Sequence, residues 1–198
     1  MRAGAPAQRG VTLIEVMLGL AILGILLTLA IPSFTQFLQN QRIKNAAETT
    51  LQGLNLARAE AVRRNASVRF QFVSDLTSGC TLSATAMNWI VSLADPTGAC
   101  DVAPSPTGNV VQSKSSAEGT QNVTLAATPS TGSTLVFTGL GRVSSAGFTQ
   151  LDFSYPSGGT CQSAGGNMRC MRILVTTSGA AKICDPKVTD NTDPRYCS

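Results

Sequence analysis

One carboxylate stands alone in an apolar run. Glu15 is the single charged side chain in VTLIEVMLGLAILGILLTLAI, residues Val11 to Ile31. At the centre of a membrane helix a charged side chain costs roughly 2.5–3.5 kcal/mol on insertion scales, so its presence points to a pairing with a cation. Six cysteines form the second chemically capable set: Cys80, Cys100, Cys161, Cys170, Cys184 and Cys197, all beyond the apolar run. None stands in a C-x-x-C pair, which sets aside redox and zinc-knuckle chemistry. Their even number fits disulfides in an oxidising compartment. Fifteen pairings are open to six cysteines. Short loops close most easily, which favours Cys80–Cys100, Cys161–Cys170 and Cys184–Cys197.

Other chemistry is sparse. The chain contains no histidine, which removes Ser-His-Asp and Cys-His nucleophile arrangements and the usual zinc sites. No phosphate-cradling glycine loop or metal-ligand cluster stands out. The reading is therefore non-enzymatic, with no cofactor and no metal. The tail CDPKVTDNTDPRYC offers Asp185, Asp190, Asn191 and Asp193 as oxygen ligands. It lacks the spacing and the closing glutamate of a calcium loop, so a solvated turn is expected. The net charge of +4 is too mild to argue for nucleic acid by itself.

The elements that position these groups follow from the apolar run. Its 21 residues suffice to cross a hydrocarbon core about 30 Å thick. Arg2 and Arg9 precede it, which places the N-terminus in the cytoplasm and everything after Ile31 outside. A cleaved signal peptide would have a shorter apolar region and a small-x-small cleavage site, and LAIPSF is a poor one. A plain anchor explains length and flanks but gives no reason for Glu15. The third reading keeps the apolar segment on the mature protein and cuts only the short basic leader.

For that reading the residues carry a resemblance. RGVTLIEVMLGLAILGILLTLAIPSF, with its basic leader, Gly10, apolar Val11, Thr12-Leu13-Ile14-Glu15 and Pro32, resembles the N-terminus of type IV pilins and type II secretion pseudopilins. The resemblance implies cleavage between Gly10 and Val11 by a prepilin peptidase and methylation of the new amine of Val11. It also implies partners: the inner membrane and other major or minor pilins or pseudopilins. The carboxylate of Glu15 would then meet the amine of a neighbouring subunit and set the register between helices.

Pro32 lacks an amide donor and should kink or locally break the helix. A second helical segment follows to about Asn65, with Ile43, Ala47, Thr50, Leu54, Ala57 and Ala61 at helical spacing. Arg58, Arg63 and Arg64 suit its C-terminal end. Beyond Asn65 the pattern becomes short alternating runs. Strands are expected at 67–73, 88–94, 122–127, 133–138, 149–155 and 171–177, separated by Gly, Pro and Ser clusters. Residues 95–119 read as loop. The fold expected is α+β and pilin-like: a long N-terminal helix, its first half transmembrane, packed on a C-terminal β-rich head of antiparallel sheets. The organisation expected is leader 1–10, transmembrane helix 11–31, periplasmic amphipathic helix 32–65 and head 66–198. The location the resemblance implies is the inner membrane, crossed once with the head in the periplasm, and later the pilus and cell surface.

The head narrows the resemblance. LNLARAEAVRRNASVRF, NWIVSLAD, LVFTGLGRV and RILVTTSGAAKIC resemble the GspH/FimT group of minor pilins and pseudopilins. Some members bind DNA through a C-terminal Gly-Arg-x-Arg turn. The matching stretch here is Gly179-Ala180-Ala181-Lys182, in which one cation is lost and the other is a lysine without the bidentate fork. Arg142, Arg169, Arg172 and Lys187 would compensate, with Lys182, if the fold gathered them on one face. The functions weighed are therefore a minor pilin that primes or caps pilus assembly, a DNA-uptake pilin, and a GspH-like secretion pseudopilin.

Overall fold

The computed structural model describes residues 10–198, so the leader residues before Gly10, including Arg2 and Arg9, lie outside it. The first element, α1, runs from Leu13 to Arg64 as one helix of 52 residues. Helical structure continues through Pro32, which corrects the expected local break. Propagation adds a hydrogen bond with each residue fixed, so a single missing donor need not end a long helix. The chain divides into two compact units, one up to Leu38 and one from Gln39 to Ser198.

In the first unit the described side chains from Val11 to Thr28 are all exposed, on every face of the helix. A helix apolar all round and uncovered is built for an apolar surrounding. This one is long and apolar enough to cross a membrane.

In the second unit the helix turns one stripe inward. Ile43, Ala46, Ala47, Thr50, Leu54, Ala57 and Ala61 are at most 1% exposed, at the three- and four-residue spacing of one helix face. The helix ends where Asn65 takes a positive φ of 48°. The Asn65 N–H then donates to the Val62 carbonyl and the Ala66 N–H to the Ala61 carbonyl, at 3.2 Å each. These are the two bonds of a Schellman cap.

Nine strands form the rest: β1 Val68–Val73, β2 Asn88–Ser92, β3 Val110–Lys114, β4 Thr124–Thr128, β5 Thr134–Phe137, β6 Val143–Ala146, β7 Gln150–Ser154, β8 Met171–Val175 and β9 Ala181–Cys184. They make a five-stranded sheet in the order β3-β2-β1-β5-β6 and a four-stranded sheet in the order β4-β7-β8-β9. Every pairing is antiparallel. β3, β6 and β9 correct the expectation: β3 lies inside the expected loop 95–119, and β9 begins inside the expected turn at Ala181.

Alternation along β1 sends Val68, Phe70 and Phe72 into the helix-side core, while Val73 belongs to a smaller cluster with Cys80, Ile90, Cys100 and Val110. Phe70, Phe72, Trp89 and Phe148 stack with centroids 5.1–6.4 Å apart. The helix comes so close to them that a Cβ on Gly53 would stand 2.7 Å from the Phe70 ring and 3.0 Å from Trp89.

The cysteines pair sequentially: Cys80–Cys100, Cys161–Cys170 and Cys184–Cys197. The first ties the loops flanking β2 to each other over the smaller cluster. The third holds the tail, which also pairs through the Asp185 N–H and the Arg195 carbonyl at 2.9 Å.

Two outcomes test this packing. Gly53→Ala should destabilise by about 1–3 kcal/mol in urea melts of the detergent-solubilised chain. Overpacking costs that much, against a helix-propensity gain of at most about 1 kcal/mol. Replacing Cys184 and Cys197 by serine should cost about 3 kcal/mol by loop entropy. Amide exchange should speed up selectively over residues 185–198.

Candidate functional site

Thr12 starts the helix. The Glu15 N–H donates to the Thr12 hydroxyl at 3.3 Å and to the Thr12 carbonyl at 3.1 Å. Thr12-x-x-Glu15 is the sequence of a capping box, with the acid in the first turn where the helix dipole favours a negative charge. Both bonds come from the backbone N–H of Glu15, and the place of its carboxylate in the first turn was legible in the sequence. Gly10 and Val11 precede the cap and are exposed, Val11 to 76%. A peptidase cut at Gly10 would therefore leave an amine four residues before Glu15, on an uncovered end.

In the head, the end of the helix meets two turns. The Arg58 Nε donates to the Gly141 carbonyl at 3.0 Å. Gly179 sits so tightly against Gly141 that a Cβ on it would lie 2.1 Å from the Gly141 oxygen. The Val143 N–H donates to the Thr177 carbonyl at 3.2 Å, joining the start of β6 to the end of β8. The turn of the β5–β6 hairpin and the turn of the β8–β9 hairpin are thus one structural unit, fastened by Arg58. Gly179 has a φ of 82°, which only glycine takes readily.

Of the five candidate cations, Arg172 on β8 and Lys182 on β9 lie on one face of the second sheet, diagonal to each other across the Arg172–Cys184 and Leu174–Lys182 pairs. Arg169 and Lys187 line an open cleft of about 390 Å³ with Gln162, Asp185, Val188 and Arg195. Arg142, Arg172 and Lys182 are not among its lining residues. Arg169 is bound to Asp185 at 3.2 Å and Arg172 to Asp152 at 2.7 Å across β7 and β8. Lys182 lies on β9, not in the turn, and donates to the Ser198 hydroxyl at 3.3 Å. Arg142 is exposed beside Gly141. Arg195, which sequence reasoning passed over, belongs to the cleft and grips Asp193 at 2.7 Å.

The acids of the tail are used internally. Asp185 accepts from the Lys187 N–H at 3.0 Å, and Asp190 accepts from the N–H and hydroxyl of Thr192. Among the described residues no group of three potential metal ligands gathers. At the helix end Glu60 takes both Arg63 and Arg64, at 2.7 and 2.8 Å. Hydrogen bonds from Arg63 and then Arg64 hold its carboxyl down, from 4.5 to about 2. Arg64 also donates to the Pro106 carbonyl at 2.7 Å. The basic cluster at the helix end is thus spent on structure.

Comparison with known proteins places the chain. The family model described as type II transport protein GspH matches residues 46–179, and that of the prokaryotic N-terminal methylation motif matches residues 6–31. The pilin-like protein PilA1 of Thermus thermophilus is 39% identical over 75 residues, 38% of this chain and 47% of that protein. The chain therefore spans about half the length of this curated relative. Two crystal forms of the type IV minor pilin FimU of Pseudomonas aeruginosa align over 78% and 75% of this chain and 97% of theirs. Their TM-scores are 0.49 and 0.45, at 14% and 15% identity.

The Glu60 triad carries a pH signature. Its carboxyl is depressed in the folded state, so its contribution is present above about 4.5 and is lost as pH falls toward about 2. Asp193, held to about 2 by Arg195, acts in the same direction. Glu60→Gln should lower stability near neutral pH by roughly 1 kcal/mol, a value set by the surface ion-pair range. It should also flatten the loss between about 4.5 and about 2, as read by thermal melts across that range.

Proposed function

Because the chain belongs to the family of the type II transport protein GspH, and is thus a minor-pilin-like or pseudopilin-type protein anchored by its N-terminal helix, we propose that it is a minor type IV pilin. In this reading a prepilin peptidase removes the leader after Gly10 and methylates the amine of Val11. The protein is anchored as a single span of the inner membrane with the head in the periplasm. It then enters an assembly with other minor subunits that primes or caps the filament. Its role is structural.

One observation carries the reading: the methylation motif covers residues 6–31, on a helix that is apolar and uncovered on every described face from Val11 to Thr28. Such a surface is satisfied by lipid and by other helices of its kind. Glu15, in the first turn of its own helix, then serves as the anion for a neighbour's amine. Each of those charges is costly alone in an apolar medium, and together they form a pair. A second reading, a pseudopilin of a type II secretion system, is favoured by the description of the matching family. Both share the same N-terminal chemistry. DNA uptake is less well supported, because Arg169 and Arg172 are committed to Asp185 and Asp152.

The mature protein should begin at methylated Val11, as read by mass spectrometry; an intact Met1 would overturn the class of mechanism. Glu15→Gln keeps a capping-box side chain and removes the charge. It should leave processing intact and reduce incorporation beside neighbouring subunits, because breaking a buried pair costs about 3–5 kcal/mol. Co-purification at the normal level in that variant would remove the pairing role.

A further inference from the structure

The open cleft of about 390 Å³ is built from two covalently closed loops. Gln162 and Arg169 lie within the loop closed by Cys161–Cys170, and Asp185, Lys187, Val188 and Arg195 within the one closed by Cys184–Cys197. The cleft stands at the end of the head where α1 enters. The Arg169 N–H donates to the Asn40 side chain at 2.8 Å, and Asn40 is the second residue of the head's stretch of the helix. Gly158, just before the first loop, is so close to Gln39 that a Cβ on it would lie 2.7 Å from the Gln39 side-chain oxygen. The turn carrying Leu140 is held by Arg58 at the other end of that stretch, about 27 Å of helical rise beyond Asn40.

The lining carries three cations, Arg169, Lys187 and Arg195, against one carboxylate. That carboxylate, Asp185, has a side chain 7% exposed and is taken up by the Arg169 Nε at 3.2 Å and the Lys187 N–H at 3.0 Å. Arg195 turns its Nε and Nη2 to Asp193 at 3.1 and 2.7 Å, which leaves its Nη1 without a partner among the described residues. The Lys187 ammonium has no hydrogen bond or ion pair among them either. The acids are consumed and two cationic donors are left over, so the cleft is complementary to an oxyanion. Both loops are closed by disulfides, so little freedom is lost when one is bound.

The helix indicates where such an anion comes from. Phe34, Phe37 and Leu38 are exposed to 61%, 55% and 42%, so apolar surface continues to the last residue before the head. From Leu13 to Asn40 the helix has about 40 Å of rise, and a bilayer with its headgroups is about 40–45 Å thick. We propose that the cleft takes the phosphate of an anionic lipid headgroup, with the Lys187 ammonium and the Nη1 of Arg195 as its ligands. Arg169 stays with Asp185 and closes the wall. An anchored head meets headgroups at a high effective concentration, so a site with two ligands is sufficient. The contact rests on the inner-membrane anchoring proposed above. It holds the head to the bilayer before assembly and is given up as the subunit leaves the membrane.

The test uses the full-length chain in phosphatidylcholine vesicles with or without phosphatidylglycerol, with a photoreactive benzophenone amino acid in place of Val188. Irradiation should give a phosphatidylglycerol adduct on the peptide 185–198, read by mass spectrometry, and the same probe in place of Leu140 should give none. Lys187→Gln should lower the yield roughly fivefold, the attraction of one cation near an anionic surface, and Lys187→Arg should keep it. Equal adducts with the two lipids, equal adducts at the two probe positions, or a yield unchanged by Lys187→Gln would each overturn the proposal. So would phosphorus NMR that shows inorganic phosphate bound at Lys187 without any lipid adduct, which marks a soluble anion, or capture of an acidic protein segment in place of lipid when the probe is used in cells. A chain stripped from the vesicles by alkaline carbonate would overturn the anchoring and this contact with it. A chain that stays in the vesicles and gives no adduct at Val188 would overturn the contact alone.

Discussion

The helix from Ile43 to Ala61 has to lie close enough to the sheets for an aromatic cluster to be sealed from water, and the rest of the head depends on that distance. Alanines at 46, 47, 57 and 61 and the glycine at 53 keep the helix surface thin. Phe70, Phe72, Trp89 and Phe148 then fill the space beneath it. Larger side chains on that stripe would lift the helix and open voids around the rings, which close-packed interiors do not tolerate. Bulk on the sheets and thinness on the helix are two halves of one constraint.

The same helix changes its solvent along its length. Up to Leu38 it belongs to a unit with no buried described residue, and from Gln39 it belongs to the head. Polar side chains begin to tie loops to it at that point. The Arg169 N–H donates to Asn40 at 2.8 Å, Arg42 reaches the Tyr155 hydroxyl at 3.1 Å, and Asn45 reaches the Gly119 carbonyl at 3.0 Å. Arg58 completes the series at the joined hairpin turns. One element is thus an anchor in its first part and the spine of a folded domain in its second.

Most strands were legible because their apolar residues alternate, as in VRFQFV and QLDFS, where period two leaves little choice. The three that were not legible, β3, β6 and β9, are all edge strands. VVQSK, VSSA and AKIC carry short or polar side chains and pair on one side only. Their extended form comes from the partner's ladder more than from their own sequence. The candidate cations show the same division. Their presence could be read from the chain, but not that Arg169 and Arg172 would be taken up by Asp185 and Asp152, carboxylates 16 and 20 residues away.

The sequence by itself determined the apolar helix, the capping Thr12 with Glu15 in its first turn, the stripe that packs, and an even set of cysteines apt to pair with near neighbours. Each depends on residues a few positions apart, where helical period, propensity and loop closure act directly. Only the tertiary structure decided that two hairpin turns 38 residues apart meet at Arg58, through Gly141 and Gly179. Only it decided that Glu60 absorbs both terminal arginines, and that Leu140 faces water in the turn between β5 and β6. Those outcomes depend on which strands become neighbours and which faces are covered. That is settled by the packing of all the elements together, and no local pattern encodes it.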